Sequence, residues 1–314
     1  MLSRLGVENT SRTEAFCQDL VAGLRTCLYI ISIEDQLLIV DAGVYRREDI
    51  DELEKLVDKL GGWRRVSAVI LTHGHADHTG LAKEISERCP APIYLHEEDR
   101  WMVEDYEKYL EQVGSLLEKA AQWGFPREFL EYHGAKWSHE GLKVELTFWR
   151  GEKLRLDDLE AVEVLHTPGH TAGSCSVAVG DVAFTGDAVA DVSVLTSDLE
   201  RHVKSLKMLS RFREFYTAHY GVIPGETALK LANHYLERLE AVIASTRSPK
   251  SFYEIFREVY GEPGDLGFRV VFALRNLFTY LDFLERHGFV EVMEGEPPKW
   301  RGIREASKLR EVLG

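Results

Sequence analysis

Four potential metal ligands fall within six residues. His73, His75, Asp77 and His78 stand in Thr72-His73-Gly74-His75-Ala76-Asp77-His78, directly after the apolar, β-branched run Val66-Ser67-Ala68-Val69-Ile70-Leu71. Such a run reads as a buried strand, so the ligands sit in a loop at a strand's C-terminal end. Imidazole nitrogens and a carboxylate are the donors preferred by a borderline ion such as Zn²⁺. Gly74 and Ala76 are small enough for the loop to turn tightly and aim alternate side chains inward, and Thr72 and Thr79 can bond its amides. A solvated His-rich turn is the bland alternative, but small spacers between four donors at a strand end are specific to metal binding.

Three more donors occupy comparable places. His170 lies in the Gly-rich turn Thr167-Pro168-Gly169-His170-Thr171-Ala172-Gly173-Ser174, Asp187 in Phe184-Thr185-Gly186-Asp187, and His219 in Thr217-Ala218-His219-Tyr220-Gly221. Each alone is weak, but together they mark strand C-termini, where α/β active sites gather. His166 reads as structural. Thr72, Ser174 and Cys175 are not needed as nucleophiles if metal supplies the hydroxide. Tyr220 could reach a substrate oxygen or simply pack.

Leu28–Ile33 and Gln36–Val40 read as a hairpin that ends at Asp41-Ala42-Gly43. Helices are expected over Glu52–Leu60 and Gly80–Arg88, with a strand over Pro92–Leu95. This order predicts a layered α/β sandwich. Residues 97–135 are charged, aromatic and helical in period, with Trp101, Tyr106, Tyr109, Trp123 and Tyr132; they read as a helical insertion serving as lid or substrate wall. Strands resume at Leu142–Phe148, Leu154–Leu156, Ala161–Leu165, Ser174–Val179 and Val182–Thr185, followed by helices Val203–Phe215 and Glu226–Ser245. A composition break at Ser245-Thr246-Arg247-Ser248-Pro249 divides a catalytic domain, 1–245, from a module, 246–314. Helices Ser251–Tyr260 and Leu266–Arg286 and strands Gly288–Met293 and Lys299–Gly302 give that module a winged-helix-like order.

These motifs resemble the metallo-β-lactamase superfamily, specifically its glyoxalase II-like hydrolases, over about residues 20–225. The resemblance implies an αββα sandwich. It assigns His73, His75 and His170 to one divalent ion and Asp77, His78 and His219 to a second, with Asp187 bridging. It also implies that Asp41, at the end of an early strand, supports the ligand loop from behind. Asp77 and Asp187 are the expected catalytic carboxylates. The chain departs from many relatives at Ala218-His219-Tyr220, where Gly-His-Gly is common. Two ions, zinc with iron or manganese as substitutes, would provide a hydroxide near neutral pH and stabilise an oxyanion.

A metallo-β-lactamase domain followed by a winged helix also resembles beta-lactamase-like protein 2, an endoribonuclease group. Two substrate classes therefore stay open: a small thioester or other carboxylic ester, and an RNA phosphodiester. Charge favours the first. The 314-residue chain carries a net charge of −14, and residues 241–314 hold 11 basic and 11 acidic residues, whereas a nucleic-acid groove needs a basic stripe. A small-molecule acyl substrate is the expected partner, with RNA as the alternative and a homodimer through the module as a further reading. A metal-binding regulator that has lost catalysis and a mononuclear iron oxygenase are the remaining alternatives; the full ligand set weighs against both. No run of about 20 apolar residues and no apolar leader core occur, so a cytoplasmic location is expected. The four scattered cysteines, Cys17, Cys27, Cys89 and Cys175, then read as buried thiols.

Overall fold

The computed structural model describes residues 12–20, 23–130, 145–156, 159–190 and 197–313. Strands β1 (Arg12–Asp19), β2 (Arg25–Ile33) and β3 (Gln36–Val40) lead to helix α1 (Arg47–Lys59) and β4 (Val66–Ile70). The ligand loop and the single turn α2 (Ala76–Thr79) follow, then α3 (Ala82–Arg88), β5 (Ile93–His96), α4 (Arg100–Glu104), α5 (Tyr106–Gln122) and β6 (Thr147–Trp149). The second half contains β7 (Lys153–Arg155), β8 (Val162–His166), β9 (Cys175–Val179), β10 (Val182–Gly186), α6 (Leu199–Leu209), β11 (Glu214–Thr217), β12 (Gly221–Pro224) and α7 (Thr227–Ser245).

Two six-stranded sheets form, in the orders β1-β2-β3-β4-β5-β6 and β12-β11-β10-β9-β8-β7. Side chains alternate along each strand, so a run apolar throughout supplies two interfaces. Along β2 and β3, Leu28, Ile30, Leu37 and Ile39 face an outer layer with Leu53 and Val57 of α1 and Ile85 of α3. Tyr29, Ile31, Leu38 and Val40 instead meet Val164, Val177 and Phe184 of the second sheet. The outer face of that second sheet, with Leu165 and Phe215, is covered by α5, α6 and α7. The architecture is the expected αββα sandwich.

The C-terminal region runs β13 (Lys250–Ser251), α8 (Phe252–Tyr260), α9 (Pro263–Leu266), α10 (Val270–Arg286), β14 (Val290–Met293), β15 (Lys299–Gly302) and α11 (Leu309–Leu313). A reciprocal capping box between Ser251 and Glu254 starts α8. Its strands make a three-stranded sheet in the order β13-β15-β14. Phe252, Phe256, Leu274, Leu277 and Trp300 belong to the same apolar cluster as α5, α6 and α7. The insertion is gripped from this side: Trp123 lies 5.0 Å from Phe278 and 5.0 Å from Trp300, and Phe125 lies 4.8 Å from Phe256, between ring centroids.

Several expectations need correction. Strand β1 is an addition, because most of its residues are polar and only Phe16 and Gln18 are buried. Cys17 and Cys27 are not thiols but a disulfide; they stand directly opposite each other in the β1–β2 register, a pairing invisible until β1 is recognised. Cys89 and Cys175 are buried and free. The helix expected over Val203–Phe215 runs instead from Leu199 to Leu209, since its last residues form β11, with Phe215 and Thr217 buried in alternation. The strand expected over Leu142–Phe148 is described only from residue 145 and forms at Thr147–Trp149. The end of the insertion, with Tyr132, lies outside the described residues. No described helix is long and apolar enough to cross a membrane.

Candidate metal centre

The seven expected donors converge. His73 and His75 leave β4, Asp77 and His78 ride on α2, His170 sits between β8 and β9, Asp187 directly follows β10, and His219 separates β11 from β12. The nitrogens of one set face each other: His75 Nδ1 is 2.9 Å from His73 Nε2 and 3.1 Å from His170 Nε2. Asp187 Oδ2 lies 3.3 Å from His170 Nε2. In the other set, His219 Nε2 is 3.4 Å from Asp77 Oδ2, and His78 Nε2 is 3.7 Å from that same oxygen. Asp187 Oδ1 stands 3.2 Å from His219 Nε2 and 3.6 Å from His78 Nε2. One carboxylate thus gives each oxygen to a different ligand set.

Bonds behind the rings fix which nitrogen faces inward. His78 donates from Nδ1 to Asp41 Oδ2 (2.8 Å), and His219 donates from Nδ1 to the Arg25 carbonyl (2.6 Å). Thr72 donates its amide and its hydroxyl to Asp41 (2.7 and 3.0 Å), which leaves Thr72 Oγ1 to accept from His73 Nδ1 (3.2 Å). Each of these three rings therefore turns Nε2 into the site, where a metal ion would take the place of any proton it carries. Asp41 holds this position with a left-handed backbone, φ 66°, uncommon outside glycine. Just before Asp187, Gly186 has φ 48°, and a Cβ there would fall 2.2 Å from Thr72 Oγ1; only glycine lets the two loops approach this closely.

Asp99 is a buried member of this support that the sequence did not point out. It accepts from Gly74 N (3.0 Å), Gly173 N (2.8 Å) and Thr171 Oγ1 (2.6 Å). It ties the loop of His73 and His75 to that of His170. Burial, opposed by those three donors, lifts its carboxyl to about 6. Lying in the charged stretch Glu97-Glu98-Asp99-Arg100, it offered no periodicity to single it out.

Electrostatics asks for cations. Burial and neighbouring imidazoles hold His73 and His75 well below the ordinary histidine range. Burial acts the same way on His78 and His219, but carboxylates outweigh it: Asp41, Asp187 and Asp77 raise His78 to about 9, and Asp187 and Asp77 raise His219 to about 10. Asp187 goes well below the carboxylate range because His219, His78 and His170 overcome its burial. His78 Nε2 and Asp187 Oδ1 are buried without a hydrogen-bond partner. Inward-facing nitrogens, such orphaned atoms and two geometric groups of donors fit a pair of divalent ions that replace protons.

A third group, His96, Glu98 and His166, lies nearby. Its rings are stacked 3.9 Å apart, His166 donates from Nε2 to the Ala172 carbonyl (2.9 Å), and Arg201 holds Glu98 (3.1 Å). His166, expected to be structural, is buried within this group. Tyr220 is exposed at 56%.

Helix α5 packs beside the ligands. The Tyr109 ring of α5 lies 5.9 Å from that of His75. Arg275 of α10 is buried. On the far side of Gly169, buried His202 bonds Tyr235 Oη (3.2 Å), and that hydroxyl donates to the Ala190 carbonyl (2.9 Å).

The comparisons with known proteins agree with this geometry. The chain is 37% identical to an uncharacterized Mycobacterium leprae protein over 137 residues, covering 42% of this chain and 55% of that protein, so the match spans about half of the relative's length. It is 29% identical to hydroxyacylglutathione hydrolase GloC of Haemophilus influenzae over 182 residues, covering 56% of this chain and 72% of that one. A crystal structure of a metallo-beta-lactamase family protein from Thermus thermophilus shares the fold, with a TM-score of 0.73 at 23% identity, covering 93% of this chain and 98% of that chain. The family model for the metallo-beta-lactamase superfamily, whose members are generally metal-dependent hydrolases and typically bind two metal ions, matches residues 22–223. With that match spanning every one of the seven donors, the chain belongs to the metallo-beta-lactamase superfamily.

Proposed function

We propose that the chain is a dinuclear metal-dependent hydrolase acting on thioesters or other carboxylic esters. The observation that carries this reading is the division of Asp187, Oδ2 toward His170 and Oδ1 toward His219 and His78. Two ions held by these donors, zinc by donor type with iron or manganese as substitutes, would supply a hydroxide near neutral pH and polarise a substrate carbonyl. Asp41, Thr72 and the Arg25 carbonyl keep the rings oriented. Asp77 and Asp187 bring the carboxylate charge that balances the cations and accept hydrogen bonds from a water between them.

The choice of an ester over a polymer draws on two supports. One is the likeness to a hydroxyacylglutathione hydrolase. The other is the C-terminal region, which we read as winged-helix-like from its helices-then-ribbon order. Its basic residues are matched by its own acids, as in Arg257 with Glu262, Arg286 with Asp282 and Arg301 with Glu291, which leaves little free charge for a phosphate backbone. Its apolar side faces inward, so we read it as a packing module that walls the site.

The test is a panel of thioester, lactone and single-stranded RNA offered to protein loaded with zinc, iron or manganese. Hydrolysis of a thioester or lactone, lost on Asp187→Ala, is the expected result. RNA cleavage that vanishes with the same substitution, with no esterase activity, would overturn the proposal.

A further inference from the structure

Residues 25–27 of β2 support the second ligand set from behind. The Arg25 carbonyl accepts from His219 Nδ1 (2.6 Å), Thr26 Oγ1 donates to the Asp77 carbonyl (3.0 Å), and Cys27 N donates to the Ala218 carbonyl (2.9 Å). The register between β2 and β3 begins only at Tyr29, opposite Val40. The neighbour of residues 25–27 within the sheet is therefore β1, with Cys17 opposite Cys27, Gln18 opposite Thr26 and Asp19 opposite Arg25. Strand β1 is the sheet's edge, and only its Phe16 and Gln18 are buried. It has little apolar area to hold it down, and the Cys17–Cys27 bond is its covalent tie. Gln18 exchanges two hydrogen bonds with the backbone of Val44 (2.9 and 2.8 Å). Val44 follows the turn in which Ala42 N donates to the His78 carbonyl (2.7 Å). One edge strand thus backs the segments of Asp77, His78 and His219. The first set leans elsewhere: His73 is held through Thr72, and Asp99 joins the loop of His73 and His75 to that of His170.

The disulfide is open to solvent on one side, since Cys17 is exposed while Cys27 is buried. Exposed disulfides are the exchangeable ones. We propose that Cys17–Cys27 is a thiol-exchange site that governs binding of the second ion. A low-molecular-weight thiolate attacks Cys17 Sγ, forms a mixed disulfide there and expels Cys27 as a thiolate, which takes up a proton. A second thiol attacks the mixed disulfide and releases Cys17, so two small thiols become one disulfide while the protein gains two thiols. With the bond open, β1 no longer fixes residues 25–27, and the set Asp77, His78 and His219 loses its preorganisation. The set His73, His75 and His170 keeps its ion. This inference goes beyond the ester-hydrolase reading and rests only on its two-ion centre.

The test compares full-length protein before and after treatment with excess reduced glutathione. The thiol is removed by anaerobic gel filtration, and zinc affinity is then measured by competition with a chromophoric chelator. Thiol counts in denaturant report the bond: two before treatment, from Cys89 and Cys175, and four after it. Alkylation during treatment, followed by mass spectrometry, should find the mixed disulfide on Cys17. The expected result is a second zinc equivalent bound about tenfold more weakly by the reduced protein, the size of effect that outer supports of a ligand exert. The first equivalent should change less than about twofold, and reoxidation should restore the second. The double variant Cys17→Ser/Cys27→Ser should bind zinc as the reduced protein does, with or without glutathione. In His219→Ala, which retains the first equivalent, reduction should leave zinc affinity unchanged. Two equivalents bound with the same affinities before and after reduction overturn the inference alone, even if the double variant fails to fold. So does equal weakening of both equivalents, which marks a general loosening, and so does a bond that excess glutathione leaves closed. An oxidised protein that binds a single equivalent overturns the inference together with the two-ion reading.

Discussion

Asp41 and His78 form the bond that orients the second ligand set, Nδ1 donating to Oδ2 over 2.8 Å with both side chains buried. The same carboxylate takes the amide and hydroxyl of Thr72, so one residue steers His78 directly and His73 through Thr72. Outer partners of this kind typically change metal affinity by about 10- to 100-fold. Asp41→Asn should weaken binding of one metal equivalent by about that factor, measured by chelator competition, with the circular dichroism spectrum unchanged. Unaltered affinity for both equivalents would show that the ring does not need this partner.

Asp99 joins two ligand loops through three accepted bonds. Asp99→Ala strands two buried amides and a hydroxyl, each such loss costing about 1–3 kcal/mol. A total near 3 kcal/mol is expected in urea unfolding after partial relaxation, with Asp99→Asn falling between the two. A variant as stable as the parent would show that water or neighbouring groups satisfy those donors.

The metal-free and metal-loaded proteins should diverge with pH. Without metal, the folded state holds protons on His78 and His219 up to about 9 and about 10, against an ordinary histidine value of 6.5. Their stabilisation is fully present below 6.5 and is lost as pH rises through the folded values, at about 1.4 kcal/mol per pH unit for each retained proton. Metal displaces those protons, so the loaded protein lacks this loss. The melting-temperature difference between loaded and chelator-treated protein should therefore widen from pH 6.5 to pH 9. A constant difference would contradict proton–metal exchange at these two rings.

Phe125 ties the insertion to the C-terminal region through Phe252, Tyr253 and Phe256. It is 2% exposed, and truncating a buried aromatic costs about 3–5 kcal/mol. Phe125→Ala should lower the whole protein's unfolding midpoint while keeping one transition. Two separated transitions in the parent would show that residues 246–314 fold as an independent unit.

Much of this was legible because its signals are local. The ligand loop sits at a strand end within one stretch of sequence, and α7, α8 and α10 announce themselves by apolar spacing. What stayed hidden depends on distant pairing. Strand β1 has few apolar residues and is recognisable only beside β2, so the Cys17–Cys27 pair was hidden with it. Asp99 owes its role to loops 25 and 74 residues away. The extended Val203–Phe215 helix failed because Phe212 and Phe215 suit a helical stripe as well as a buried strand.

The central claim is a pair of ions sharing Asp187, and elemental analysis tests it most directly. Protein purified with zinc, iron or manganese in the medium should carry about two metal equivalents per chain, one for each donor set. Asp187→Ala should lower occupancy of both sets, and His219→Ala should leave the His73, His75 and His170 set filled. One equivalent of iron in the parent, unchanged by His219→Ala and accompanied by oxygen consumption, would contradict the account.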